Sequence, residues 1–460
     1  MMSSLPRSPR AALLGPLLGL FVLGALTGCR SSTDRVQSHL HGRITVESSV
    51  DATGEYSGFR VLVVDADGRA VDTLGHAVTE PDGRFEMTVR APEPGVYPLL
   101  LWGREGRRQL GSTDYVVAEG DSGRLRVTLP LNGRRVYVRS DENAALMAYR
   151  NTLAQYRRGL VDRLRTNAVD SSALSRGVRQ TSSMLWSLQE TFPGTVASQL
   201  GAVESMALLS GWNDSLVVAR GRTIPSSNPR YVEAARIARR AAARRRGQSA
   251  ALELLDAFQR RARSDAQRAG VMAVRVRTFT DSLQSDAALS AAQSLRNTYP
   301  HTRWADWADR AIYEVNNLLP GSEAPNIRMR TLAGDSLSLR DLAGRPVVLE
   351  YFAPGNDLFH RQLSLRNALY RGTRADSVAF ISISVNPDTL LHEAVRDARA
   401  LPGRQVIAPE GRDDPLVTAY NVAEVPTRVL IDRKGRLVGR YPGAAFFAFQ
   451  TALTDLLRTP

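Results

Sequence analysis

Val347-Val348-Leu349-Glu350-Tyr351-Phe352-Ala353-Pro354-Gly355-Asn356-Asp357-Leu358-Phe359-His360 is the stretch that decides the fold. Its first six residues are a short apolar run with one carboxylate inside, the pattern of a strand buried on both faces. Ala353-Pro354-Gly355 then breaks the chain into a turn. Outward from this stretch, Phe380-Ile381-Ser382-Ile383-Ser384-Val385 is a second apolar run, ending in Asn386-Pro387-Asp388. Farther on, Tyr420-Asn421-Val422 precedes Val425-Pro426-Thr427, and Arg428-Val429-Leu430-Ile431-Asp432 leads into the turn Arg433-Lys434-Gly435-Arg436. Upstream, Gly321-Ser322-Glu323-Ala324-Pro325 opens the segment, followed by Gly334, Leu339, Leu342 and Gly344. Strands alternating with helical stretches predict a mixed α/β sheet over residues 319–460.

In order and spacing these motifs resemble the TlpA-like and alkyl-hydroperoxide-reductase-like branch of the thioredoxin superfamily. The resemblance covers about 30% of the chain and implies a thioredoxin-like fold. It also implies a thiol-disulfide oxidoreductase or antioxidant activity carried by a Cys-x-x-Cys pair where the first core strand turns into a helix. The helix N-terminus would lower the first thiol's pKa and make it a nucleophile. Here Asn356 stands at the first cysteine position and Phe359 at the second. The single cysteine of the 460 residues is Cys29. Thiol exchange needs a thiolate, so the expectation is a degenerate, redox-inactive site with no cofactor and no metal. By the same resemblance, Pro426 matches the cis-proline that lies against the turn and presents the Val425 backbone to a bound peptide, and Glu350 matches the buried acid beneath the cysteines. Asn356, Phe359, Val425 and Pro426 are therefore expected to line a peptide-binding groove. His360 follows the lost site without a partner nucleophile at a defined spacing and is expected at the surface. Asp357, Glu350 and His360 form only a weak metal-ligand pattern.

Residues 140–318 read as helical. Leu146, Tyr149, Leu153, Tyr156, Leu160 and Leu164 step by three or four along 142–165, and helical patterning returns at 174–190, 196–210, 231–245, 250–263 and 287–297. Phe192-Pro193-Gly194-Thr195 is echoed by Tyr299-Pro300-His301-Thr302. Each ends one helix at its proline and opens another. This resembles the turn between tetratricopeptide-like hairpins and implies a protein-binding scaffold. Trp304 and Trp307 are expected as packing residues.

Residues 38–138 alternate short β-rich runs with turns. The runs are 59–64, 84–89, 96–102 and 125–131, and the turns are Asp65-Ala66-Asp67-Gly68 and Pro81-Asp82-Gly83. Regular spacing predicts an all-β sandwich. The stretch 79–85 resembles the hairpin of carboxypeptidase-regulatory-type modules, which implies a spacer or binding platform. His39 and His41 alternate and would share one strand face.

The first 28 residues read as a secretion signal, with Arg7 and Arg10 ahead of an apolar stretch. Leu26-Thr27-Gly28-Cys29 resembles the bacterial lipobox, which implies acylation of Cys29 and a linker over 29–37. Arg30 rather than aspartate after the cysteine favours the outer membrane, facing the periplasm. The expected partners are the lipid bilayer and an envelope protein or peptide. The chain carries 60 basic and 46 acidic residues, a formal charge of +14, and Lys434 is the one lysine. That skew reads as genomic composition, and nucleic acid is not an expected partner of an exported chain. Arg236, Arg239, Arg240, Arg244, Arg245 and Arg246 form the densest basic cluster, expected on several faces of a solvated helix, with contact to anionic lipid headgroups or cell-wall polymers as the functional alternative.

The whole is therefore expected to be multidomain: an N-terminal all-β sandwich, a central α-helical region and a C-terminal α/β thioredoxin-like domain. Its leading function is a periplasm-facing binding or scaffold lipoprotein. The alternatives are a TlpA-like oxidoreductase and an envelope assembly factor that binds through its helices.

Overall fold

The computed structural model describes residues 35–66, 71–165, 170–373, 378–399 and 401–458. The expected secretion signal, Cys29 and part of the expected 65–68 turn lie outside them. The chain divides into two compact units between Asn143 and Ala144.

The first unit is built on eight strands: β1 (Val36–Val46), β2 (Arg60–Ala66), β3 (Val71–Val78), β4 (Arg84–Ala91), β5 (Gly95–Trp102), β6 (Gln109–Val117), β7 (Ser122–Leu129) and β8 (Val138–Arg139). They form two four-stranded sheets, ordered β4-β1-β7-β8 and β3-β2-β5-β6. Inward residues of both sheets, among them Leu40, Val61, Phe85, Leu99, Tyr115 and Leu125, share one core. The alternation is strict along β7, where Gly123, Leu125, Val127 and Leu129 are buried and the residues between them exposed. A period of two puts every second side chain on one face. Strands β3 and β6 carry weaker alternation and escaped the sequence reading.

The second unit begins with eight helices: α1 (Asp141–Arg165), α2 (Ser171–Thr191), α3 (Val196–Leu209), α4 (Asp214–Thr223), α5 (Tyr231–Arg261), α6 (Asp265–Asp281), α7 (Ser285–Thr298) and α8 (Arg303–Asn317). Helices α4 and α6 are additions to the expected set. The two helices expected over 231–263 are the halves of α5, broken at Gly247, whose φ of 80° places it in the left-handed region that glycine tolerates. Successive helices α2 to α8 pack on one another. Both aromatic-proline turns have the same anchor: Thr195 Oγ1 donates to the Phe192 carbonyl and Thr302 Oγ1 to the Tyr299 carbonyl, each at 3.0 Å. Trp304 and Trp307 are half-buried and pack edge to face, with centroids 6.0 Å apart.

The chain then forms a small hairpin, β9 (Arg328–Arg330) with β10 (Ser336–Ser338). A five-stranded sheet follows, made of β11 (Val347–Phe352), β12 (Ala379–Ser384), β13 (Arg404–Ile407), β14 (Thr427–Ile431) and β15 (Leu437–Pro442). Its order is β13-β12-β11-β14-β15. Strand β11 is central, parallel to β12 and antiparallel to β14. The helices of this segment are α9 (Asp357–Gly372), α10 (Thr389–Arg399), α11 (Pro415–Thr418) and α12 (Phe446–Arg458). All residues of β11, β12 and β14 are buried, as a sheet covered on both faces requires. The helical segment and this sheet fall in one compact unit. Tyr313 Oη on α8 donates to the Ala419 carbonyl at 3.0 Å, and Asn421 Nδ2 donates to the Arg310 carbonyl at 3.2 Å. Among the described residues, no helix is long and apolar enough to cross a membrane.

Candidate functional site

The apolar run 347–352 pairs on both edges, so the chain leaves the sheet at Phe352 in the middle of the domain. The Pro354-Gly355 turn delivers Asn356 to the position before α9. There Asn356 is an N-cap with extended backbone (φ −82°, ψ 116°), and its Oδ1 accepts from the Phe359 N–H at 2.9 Å. Asparagine is among the residues that best satisfy an unpaired first-turn donor. The other end of the same amide is also engaged: Nδ2 donates to the Val425 carbonyl at 3.2 Å. The Val425–Pro426 peptide is cis. Asn356, Val425 and Pro426 thus come together as the sequence implies, but Val425 offers its carbonyl to Asn356.

Phe359 does not join that groove. It is fully buried, with its ring stacked on Phe352 at 4.4 Å and packed with Leu363 and Leu401. The groove expectation is corrected for this residue. At the third helical position its side chain turns toward the core beneath the turn, where burial of an aromatic ring contributes roughly 1.5–3 kcal/mol. His392 of α10 is also fully buried, 5.6 Å from the Phe352 ring, and neither ring nitrogen has a partner among the described residues. Burial and then Arg396 push its pKa below the usual histidine value, against a smaller upward pull from Glu393. Nothing in the sequence distinguished His392 from a surface histidine of an amphipathic helix.

His360 is half-buried rather than fully at the surface. Its Nε2 lies 2.6 Å from the Pro354 carbonyl. A carbonyl only accepts, so Nε2 carries the proton and the buried Nδ1 is left as an unused acceptor.

Glu350 lies beneath the turn, 2% exposed, between two guanidinium groups. Arg366 of α9 donates from Nε to Oε2, and Arg428 of β14 donates from Nε to Oε1 at 3.0 Å. Arg366 also reaches Ser382 Oγ on β12. The Arg428 guanidinium lies over Phe446 at 4.8 Å. Burial pushes the Glu350 carboxyl up, but the two arginines outweigh it and hold it below the usual carboxylate range. The acid is thus ionised and locked, with no free proton to give. Register explains one partner, since Glu350 sits directly opposite Arg428 across the β11–β14 pair. Arg366 is brought in by α9 crossing the sheet. Asp357 is exposed at the start of α9, and among the described residues no three metal-capable side chains converge.

Beside the Val425–Pro426 loop lies a cleft of about 470 Å³ between α5, α6 and α8 on one side and 421–427 and β15 on the other. Glu314 of α8, 9% exposed, is its clasp. Arg277 reaches it at 2.8 Å and Arg440 at 2.6 Å. Burial raises the Glu314 carboxyl, and Arg440 and Arg277 then bring it below the usual range. Asp281 is held by Arg239 at 2.6 Å. Arg240 and Arg310 line the cleft and are exposed; among the described residues neither makes an ion pair, although Asp281 and Glu233 act on Arg240 at longer range. Trp307 supplies a flat apolar wall, and Glu424 adds an acid that makes no ion pair among the described residues. Sequence reasoning named Trp307 and Arg240 without joining them, because the cleft exists only where helices and sheet meet.

No protein-family model matches the chain. The thiol-disulfide oxidoreductase ResA of Halalkalibacterium halodurans is 25% identical over 137 residues, covering 30% of this chain and 73% of that protein. ResA of Geobacillus kaustophilus is 29% identical over 117 residues, covering 25% and 66%. Among solved structures, the thioredoxin domain of a thiol-disulfide oxidoreductase from Bacteroides vulgatus aligns at 19% identity and a TM-score of 0.28, covering 30% of this chain and 99% of that one. A thiol-disulfide oxidoreductase from Bacteroides fragilis aligns at 20% identity and a TM-score of 0.27, covering 29% and 99%.

Proposed function

We propose, from the premise that the C-terminal segment is a thioredoxin-like domain resembling the thiol-disulfide oxidoreductases, that this chain is a redox-inactive binding module of the cell envelope. It is anchored through acylated Cys29 and faces the periplasm from the outer membrane. One observation carries the reading. The position of the attacking thiol is filled by an asparagine whose amide is engaged at both ends, and the 460 residues hold no second cysteine to form a disulfide with Cys29. The buried acid that would serve a thiol is instead an ion-pair centre.

Recognition then falls to the cleft beside the Val425–Pro426 loop rather than to the groove itself. Arg240 and Arg310 suit a carboxylate, and Trp307 suits an apolar side chain next to it. An acidic, extended peptide segment of an envelope protein is the ligand class that matches. Because helices line the cleft together with the sheet, the scaffold reading is served at this site.

Two measurements on residues 30–460 test this. Reduction of a protein disulfide by dithiothreitol should proceed at the protein-free rate, and a clear acceleration overturns redox inactivity. An acidic peptide with one tryptophan or leucine should bind in calorimetry and lose about tenfold or more in affinity with R240E/R310E, two charge reversals at about 1 kcal/mol or more each. Equal affinity in the variant removes the cleft from the proposal.

A further inference from the structure

The outer face of the β4-β1-β7-β8 sheet is strongly basic. Residues alternating outward on these strands include Arg84 and Arg90 of β4, Arg43 of β1, Arg124 and Arg126 of β7, and Arg139 of β8. All six are exposed. His39 and His41 share the face, and Glu86 is the one carboxylate among its outward strand positions. Arg43 sits directly opposite Arg84 on one side and Arg126 on the other, so three guanidinium-bearing residues stand in one row across three strands. The next row runs Glu86, His41, Arg124 and Arg139. Adjacent strands are about 4.8 Å apart, and like charges directly opposite destabilise a sheet. Internal relief is slight: Arg84 meets Asp82 at 3.1 Å, both side chains exposed, and Arg43 Nε donates to the Asp82 carbonyl at 2.7 Å. Arg124 and Arg126 have no ion pair among the described residues. The rows bound a hollow of about 500 Å³, lined by four arginines, His41 and the two carboxylates Glu80 and Glu86.

We propose that this sheet face docks on an anionic phospholipid surface, with headgroup phosphates neutralising the arginine rows. Two arguments select that occupant. The outward strand positions are dominated by guanidinium groups, with Tyr137, two residues before Arg139, as an exposed aromatic at the edge, and arginine forks match phosphate oxygens. The chain outside the structure also points there. Val36 opens β1 seven residues after Cys29, a span of at most about 25 Å when extended. This second argument rests on the acylation reading; the first does not. Contact is electrostatic and without insertion, each arginine near an anionic surface contributing about 1 kcal/mol.

The test is co-sedimentation of residues 30–460, which lack leader and acyl chains, with phosphatidylglycerol or phosphatidylcholine vesicles. Binding to phosphatidylglycerol is expected at low salt and is expected to disappear near about 0.5 M salt, where screening is short-ranged. R43E/R126E should weaken it about 30-fold or more, since two positive charges are lost at about 1 kcal/mol each and two negative charges are added. R43Q/R126Q should weaken it less, and R245E/R246E on α5 should leave it unchanged. Unaltered binding by R43E/R126E overturns the proposal, and so does equal binding to phosphatidylcholine. Failure of the parent to bind phosphatidylglycerol, with or without binding to a soluble polyphosphate, overturns it too. Acylation is read separately, by labelled palmitate on the full chain against Cys29→Ser, so loss of one reading leaves the other measurable.

Discussion

Asn356 Nδ2 donates to the Val425 carbonyl at 3.2 Å, across the gap between the first turn of α9 and the cis-proline loop. The same side chain caps α9 through Oδ1. One residue therefore both starts the helix and closes the main-chain position at which a thioredoxin-like groove would take up a peptide.

Removing that side chain separates the two roles. Asn356→Ala should cost about 1 kcal/mol of helix capping and speed amide exchange at Phe359. Asn356→Asp keeps the cap acceptor and loses the donor to Val425, so Phe359 should stay protected while the 423–427 loop exchanges faster. Hydrogen exchange read residue by residue checks both outcomes.

Phe359→Ala should destabilise the C-terminal segment by about 3–5 kcal/mol, the range for truncating a buried aromatic. Its ring fills the space between Phe352, Leu363 and Leu401. A shifted urea midpoint without any change in peptide affinity would confirm a packing role.

Glu350→Gln leaves two buried guanidinium groups without a counter-charge and should lose about 3–5 kcal/mol. The triple variant E350L/R366M/R428M should recover much of that loss, since apolar side chains of similar volume avoid the desolvation of all three charges. The Glu350 carboxyl is held below its unfolded pKa. Its contribution is therefore fully present above the unfolded value of about 4.3 and lost as pH falls through the folded pKa. Acid unfolding of the parent, followed by circular dichroism, should show that loss, and the triple variant should be less acid-sensitive.

His392 titrates in the opposite chemical sense with the same direction in pH. Its folded pKa is depressed, so the buried neutral ring stabilises α10 fully above about pH 6.5 and less as pH falls through the folded value. The Phe352 ring beside it offers the imidazolium no acceptor, and Arg396 repels it. Exchange protection along 389–399 should drop between neutral and mildly acid pH in the parent. In His392→Phe it should stay level.

Glu314→Ala frees Arg277 and Arg440 and removes the clasp between α8, α6 and β15. Proteolysis in 318–327 should accelerate several-fold, as local opening becomes easier, while the β-rich unit keeps its own resistance.

What could be read in advance follows the range of the signal. The strand-turn-helix of 347–360 was legible because a fully apolar run and a proline-glycine break are local. The loss of a thiol pair was legible because it is a matter of composition. The helices with long apolar stripes were found within a few residues, whereas α4 and α6, short or evenly mixed in polarity, were not. Phe359 was misplaced because an aromatic at the third position of a helix looks alike in sequence whether it faces the core or a groove.

The chain by itself determined the three-part order of its segments, the absence of a cysteine pair and the alternation of its clearest strands, since these depend on composition or on neighbours within a turn or two. Tertiary structure decided what those elements meet. It put Arg428 opposite Glu350 across 78 residues of sequence, aligned Arg84, Arg43 and Arg126 into one row, and joined α8 to the cis-proline loop. Register and packing angle set these pairings, and both are fixed only when distant apolar faces close on one another and expel water.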